Sequence, residues 1–222
     1  MNKIQTYNKL PIFALISALL MFFAPLAQAE KSPKALLEET ATAMITAVNE
    51  NREQIKSDPK ITQQLIEKIL LPHIDFITAS KYVLGKHWDT ASKEQKIGFI
   101  KAFRTLLLRF YSSALTEYLN SGAELLDPGV IHFQDPGTIT TRQITLRSEV
   151  KPKSGKPVPV NYQMHKTRKG WKVFDVSVEG VSVITTYKTS FASEITQSGL
   201  DSLITSLQER NARLAEAPSN SN

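Results

Sequence analysis

The chain has 222 residues, 41% of them apolar, with 27 Lys and Arg against 21 Asp and Glu, giving a formal net charge of +6. It contains no cysteine, which excludes disulfides, thiolate metal sites and cysteine nucleophiles. The modest basic surplus suits anionic lipid headgroups or acidic partner surfaces, or simply solubility, rather than nucleic acid.

Residues 1–29 read as a secretory signal peptide. Lys3 and Lys9 precede an apolar run from Leu10 to Ala24, broken only by Pro11 and Ser17, and Ala27-Gln28-Ala29 is a small-x-small cleavage pattern. The run falls short of the roughly 20 residues of a membrane span, and the lack of cysteine leaves nothing to carry a lipoprotein anchor. The mature chain is expected to begin near Glu30, with 222 − 29 = 193 residues and, two lysines fewer, a charge of +4. That length suits one domain over residues 30–217, followed by a disordered tail at 218–222. Nothing after Glu30 is long and apolar enough to cross a bilayer.

Ser32-Pro33 is a helix start, with serine as cap and proline in the first turn. Leu36, Leu37, Ala41, Met44, Ile45 and Val48 then recur at helical spacing. Asp58-Pro59 repeats the signal ahead of Ile61, Leu65, Ile66, Ile69 and Leu70, and Pro72 breaks that helix. A short helix through Phe76, Ala79, Tyr82 and Val83 stops at Gly85. Ser92 with Gln95 is a capping box opening the longest helix, about Lys93 to Leu119. Its main stripe reads Ile97, Ile100, Phe103, Leu107, Tyr111, Ala114, Leu115 and Tyr118. Leu106, Leu108, Phe110 and Leu119 widen that stripe, as in a helix central to a core.

After Ser121-Gly122 the apolar period changes to two. Ile144, Leu146 and Val150 form one alternating set, Val158, Val160, Tyr162 and Met164 a second, and Phe174, Val176 and Val178 a third. Asp127-Pro128-Gly129, Asp135-Pro136-Gly137, Ser154-Gly155 and Lys169-Gly170 supply turns, so the strands form an antiparallel meander. The parity shifts from Val178 to Val181 and Val183, which predicts a bulge or bend at Gly180 that keeps both sets on one face. A final helix runs through Phe191, Ile195, Leu200, Leu203, Ile204 and Leu207, interrupted at Gly199. The predicted fold is α+β: several helices packed on one face of a curved antiparallel sheet, with a cone-like, NTF2-like outline enclosing an apolar cavity.

No catalytic constellation assembles. Gly180-Val181-Ser182 lacks the second glycine of a nucleophile elbow. There is no phosphate-cradling loop, and His73, His87, His132 and His165 are too scattered to chelate a metal. Asp175 is the one candidate base, and strand alternation turns it away from Phe174 towards the wet face.

Two blocks carry a family resemblance. The first is Leu71-Pro72-His73-Ile74-Asp75-Phe76, with Ala79 and Val83-Leu84-Gly85-Lys86-His87-Trp88, continuing through Ala91, Gln95, Phe99, Phe103, Leu107, Tyr111 and Tyr118. The second is Trp171-Lys172-Val173-Phe174-Asp175-Val176-Ser177-Val178-Glu179-Gly180-Val181-Ser182-Val183, followed by Tyr187, Phe191, Gly199, Leu203 and Leu207. Together they resemble the MlaC-type periplasmic phospholipid-binding proteins, also called toluene-tolerance auxiliary proteins, over nearly the whole mature chain.

The resemblance implies a monomeric, non-enzymatic shuttle in the periplasm with phospholipid as cargo and no cofactor. Its implied partners are an inner-membrane ABC transporter complex with a lipid-binding ring and an outer-membrane lipoprotein–porin complex, in a system that maintains outer-membrane lipid asymmetry. The candidate acyl contacts are Ile144, Leu146, Val160, Tyr162, Phe174, Val176, Val178, Val181 and Val183 on the sheet, faced by Leu107, Leu108 and Tyr111. Arg104, Arg109, Arg142 and Arg147 are the headgroup candidates. The alternatives are an envelope adaptor with a solid core and an enzyme built on the same cone.

Overall fold

The computed structural model describes residues 30–58, 60–121, 127–152 and 155–216; the expected export signal and tail lie outside the described residues. Helix α1 spans Pro33–Glu50, and the Ser32 hydroxyl accepts the Ala35 amide at 3.2 Å. Helices α2 (Arg52–Ser57) and α3 (Lys60–Ile69) follow, with the Lys60 amide donating to Asp58 Oδ1 at 3.0 Å. A 3-10 turn, Leu71–His73, leads to α4 (Phe76–Leu84), which Gly85 ends at φ 52°. Helix α5 (Lys86–Thr90) is too short to have shown a period in the sequence. Helix α6 (Lys93–Asn120) carries the expected capping box, with the Gln95 amide donating to Ser92 Oγ and the Ser92 amide to Gln95 Oε1. At 1.5 Å per residue its 28 residues span about 42 Å.

The sheet is a five-stranded antiparallel meander in the order β1–β2–β3–β4–β5. Its strands are Ile131–Phe133, Gln143–Val150, Val158–Thr167, Gly170–Val178 and Val181–Ser182. The register aligns Ile144 with Met164 and Val173, Leu146 with Tyr162 and Val176, and Ser148 with Val160 and Val178, so these residues share one face. Helix α7 (Val183–Glu216) closes the chain and is interrupted at Gly199, whose φ of 82° and ψ of 166° belong to glycine alone.

Three expectations need correction. The bulge lies in β4, where Met164 pairs with Val173 and Gln163 with Asp175, leaving Phe174 as the extra residue. Gly180 sits instead in the two-residue turn of the β4–β5 hairpin, where Glu179 and Gly180 take φ of 52° and 84° and Val178 pairs with Val181. Val183 then begins a helix rather than continuing a strand. The wet-face placement of Asp175 is overturned too: it pairs with Gln163 and faces away from Val176 as alternation predicts, but the head of α7 covers that face. Its carboxylate is buried and accepts from the Ser182 hydroxyl at 2.7 Å and the Ile184 amide at 3.1 Å, which ties β4 to the start of α7.

The interior divides into three apolar clusters. Phe99, Phe103 and Leu106 of α6 pack with Val83 and Leu84 of α4, with Phe191, Leu203 and Leu207 of α7, and with Phe174. The second half of α6 gives Leu108 and Leu119 to a cluster with Met44, Val48, Ile55 and Ile66 from α1, α2 and α3. Leu146, Met164, Trp171 and Val173 form the third, covered by Leu36 and Leu37 of α1. Each fully buried Phe or Leu contributes about 1.5–3 kcal/mol relative to exposure. The expected main stripe of α6 is therefore only partly its buried one: Phe103 is buried, and Ile100, Leu107 and Leu115 are half-buried. Ile97, Tyr111, Ala114 and Tyr118 are exposed, while Phe99, Ala102, Ser112 and Thr116 are buried. The helix meets α7 along one side and α3 along another, a rotation that a single stripe cannot express.

Candidate functional site

Apolar side chains without protein cover define the candidate site. On α6, Leu107, Phe110, Tyr111, Ala114 and Tyr118 recur at i, i+3, i+4, i+7 and i+11, which places them along one side of the helix. Phe110, Tyr111 and Tyr118 are 54%, 45% and 50% exposed, and Leu107 is only partly buried. Phe110 and Tyr111 meet edge to face at 5.3 Å. Burial first, then Tyr187 and Asp175, push the Tyr111 phenol above its ordinary pKa, so its hydroxyl lies within electrostatic reach of α7 and of the buried β4 carboxylate. At the end of β4, Val178 and Val181 pair at the hairpin, with Val181 66% exposed. On α4, Tyr82 is exposed at one face while its ring stacks on Phe174 at 5.3 Å.

The other candidate acyl contacts lie elsewhere. Ile144, Leu146, Tyr162 and Val176 belong to the sheet cluster, where Leu146 is fully buried and Tyr162 meets Phe133 at 5.8 Å. Burial raises the Tyr162 phenol pKa, partly offset by its hydrogen bond with Ser148. Val160 is buried between Ser148 and Val178 in the register, and Val183 is half-buried at the head of α7. Phe174 and Leu107 join the α4–α6–α7 cluster, and Leu108 joins the α1–α3 cluster. No α6 residue belongs to the sheet cluster, so the structure does not gather the candidate set around one space. Phe110, Tyr118, Tyr82 and Tyr187 share the exposed or half-exposed surfaces and were absent from that set. Tyr118 belongs to the main stripe read from the sequence and Phe110 to the residues that widen it, whereas Tyr82 and Tyr187 are not separable from core positions by pattern alone.

Of the arginines, Arg104 is exposed with its guanidinium 5.9 Å from the Phe76 ring. Arg109 is partly buried, and its Nη1 has no hydrogen-bond partner. Arg142 and Arg147 are exposed on the sheet side. Arg147 lines a cavity of about 240 Å³ with Ile144, Leu146, Thr138, Ile139 and Thr141. That volume is below the roughly 300–1,000 Å³ of a small-molecule pocket. A polar tie joins the helices to the sheet: His165 Nε2 lies 2.9 Å from Asp75 Oδ2, and the Asp75 amide donates to the Val173 carbonyl at 2.8 Å. Burial would raise the Asp75 pKa, but the hydrogen bonds from Thr78 and His165 together bring it below the usual carboxylate value. Among the described residues no group of three metal-ligating side chains converges, and no helix is long and apolar enough to cross a membrane.

Fold and surfaces define an α+β domain in which an open five-stranded meander meets a helical body, with aromatic side chains left uncovered along its longest helix. The family profile described as "MlaC protein" matches residues 38–209. The chain belongs to the MlaC family. It is 28% identical to the "intermembrane phospholipid transport system binding protein MlaC" of Haemophilus influenzae over 187 residues, covering 82% of this chain and 83% of that protein. It is 29% identical to the "toluene tolerance protein ttg2D" of Pseudomonas putida over 184 residues, 82% of either chain. A Ralstonia solanacearum phospholipid-binding protein, solved in complex with a phospholipid, superposes with a TM-score of 0.72 at 25% identity, covering 83% of this chain and 99% of that one.

Proposed function

We propose that this protein is a periplasmic carrier of glycerophospholipid, moving lipid between the outer and inner membranes and so maintaining outer-membrane lipid asymmetry. Its lipid donors and acceptors are an outer-membrane lipoprotein–porin complex and an inner-membrane ABC transporter complex, and it catalyses no reaction. The observation that carries this reading is the family match across residues 38–209, joined to aromatic side chains that stand uncovered where a core helix would bury them.

The physical task is large. At about 0.8 kcal/mol per methylene, two chains of ~15 methylenes represent roughly 25 kcal/mol of apolar transfer. A carrier replaces most of that environment while leaving the phosphate in water, where its charge costs nothing to keep. The apolar sheet residues, together with Leu107, Leu108 and Tyr111, are the proposed acyl contacts; Arg104, Arg109, Arg142 and Arg147 are proposed for the headgroup. The helices and the sheet pack through three separate apolar clusters, and loading two acyl chains parts them. Gly85 and Gly199, both at positive φ where helices end or break, are the proposed pivots.

The test is organic extraction of protein exported and purified from a bacterial host, followed by mass spectrometry of the extract. Stoichiometric glycerophospholipid is expected. A lipid-free protein that still binds envelope partners would favour an adaptor with a solid core, and turnover of a lipid substrate would favour an enzyme.

A further inference from the structure

The turn joining β3 to β4 concentrates positive charge. Lys166, Arg168 and Lys169 are exposed there, and Arg142 lies beside them because the Lys166 amide donates to the Arg142 carbonyl at 2.8 Å. Lys172 pairs with His165 across the hairpin, and its ammonium rests on the Pro72 carbonyl. The turn is stiff. The Thr167 hydroxyl donates to the Gly170 carbonyl at 2.7 Å and accepts the Lys169 amide at 3.1 Å, and Gly170 holds φ at 92°.

Arg142, Arg168 and Lys169 have no carboxylate within ion-pair distance among the described residues. The cations at the start of α1 differ in this respect, since Lys31 and Lys34 pair with Glu39 and Glu38. Asp75, on the same side of the sheet, is already engaged by His165 and Thr78.

We propose that this turn is an electrostatic docking surface for the anionic headgroups of a lipid bilayer. Charge selects an anionic partner, and the make-up of the turn selects between kinds of partner. A specific protein interface needs a desolvated core with aromatic or aliphatic anchors. Here the exposed side chains are cationic or small and polar, and Trp171, the neighbouring aromatic, is 7% exposed. A bilayer requires no such anchor, because several cations held within a Debye length of an anionic surface add their attractions. Docking of this kind is weak and reversible. The site lies outside the proposed acyl contacts and shares only Arg142 with the proposed headgroup contacts, so Arg168 and Lys169 test docking apart from the cargo.

The test is co-flotation of the exported protein with vesicles of phosphatidylcholine, with and without phosphatidylglycerol. Binding is expected only to the anionic vesicles and is lost at about 1 M salt. Removing Arg168 and Lys169 together (Arg168→Gln, Lys169→Gln) weakens binding roughly twenty-five-fold, about five-fold per cation, and leaves the proposed cargo contacts untouched. The variant keeps its circular dichroism spectrum and melting temperature. A control that removes Lys101, Arg210 and Arg213, exposed cations of α6 and α7, retains binding. Equal loss in the control, or no anionic preference in the parent, overturns the assignment. Retention on immobilised polyglutamate without vesicle binding would overturn it in favour of an acidic protein partner.

Discussion

Val181→Glu separates a cargo-binding role from a folding role at a single exposed position. Val181 is 66% exposed at the β4–β5 hairpin and pairs with Val178, itself 44% exposed. Substitution there removes almost no protein–protein packing, so folding stability changes by about 0.5 kcal/mol, or up to ~1 kcal/mol if strand propensity adds to it. An acyl chain lying over the hairpin would bury the remaining two-thirds of the valine. Against the 1.5–3 kcal/mol of a fully buried valine, that share is about 1–2 kcal/mol. A glutamate forfeits it and must also desolvate or turn aside its carboxylate, so lipid retention falls at least about five- to thirty-fold. Phospholipid per protein, measured by mass spectrometry after identical purification, is the readout, with thermal melting in parallel. Leu146→Ala is no substitute, because that residue is 1% exposed and its truncation costs about 2–5 kcal/mol of fold stability whatever the cargo does. A Val181→Glu protein with normal melting and its full phospholipid complement would remove the hairpin from the acyl-binding surface.

Other consequences concern the frame that positions these surfaces. Asp75 has a folded pKa below its unfolded one, so its contribution is complete above about pH 4 and is lost as pH falls through the lower folded value; Asp75→Asn should flatten that acid limb of a pH-dependent melting series. Asp175→Ala leaves the Ile184 amide and Ser182 hydroxyl without their buried acceptor and should cost about 1–3 kcal/mol per lost partner in denaturant titration. Gly199→Ala meets open space but an unsuitable φ and ψ, so about 1–3 kcal/mol of destabilisation is expected in the same titration, and an unchanged midpoint would show that the kink relaxes freely.

What was legible in the sequence follows from which signals are local. Capping at Ser32 and Ser92, the stop at Gly85 and the break at Gly199 depend on a few neighbouring residues, and each stands as read. Strands β2, β3 and β4 follow from alternation. Strand β1 has three residues, too few to alternate convincingly, and pairs only because β2 extends past it. The β4 bulge was misplaced for a definite reason. Trp171 and Val173 are odd-numbered and apolar, Val176 and Val178 even-numbered and apolar, so the parity changes inside β4, but Phe174 imitates the later set. Glycine at position 180 then drew the irregularity to itself. The stripe of α6 fails in part, through excess: a helix apolar over most of its girth offers several faces, and only tertiary neighbours decide which are covered. The tie between Asp75 and His165 spans ninety residues and had no sequence signal at all.

The chemistry of the uncovered α6 stripe bears on how a carrier survives empty. Singly exposed apolar residues are ordinary, but a row of them along one helix invites association unless its surface tolerates water. Here the row mixes one phenylalanine with two tyrosines, and Tyr82 and Tyr187 add phenols on α4 and α7. A tyrosine offers a ring to methylenes and a hydroxyl to water, so the same side chain suits both the loaded and the empty state. A phenol is compatible with hydrocarbon only while neutral. A tyrosine phenol is neutral at physiological pH, and burial pushes the Tyr111, Tyr162 and Tyr187 pKa values further upward. On the proposed reading, Tyr111→Phe should therefore leave lipid retention intact while lowering the solubility of the delipidated protein, and Tyr111→Asp should abolish retention without unfolding the chain. If Tyr111→Asp instead kept its lipid, the α6 stripe would be a solvent face, and the acyl chains would have to lie against the sheet cluster alone.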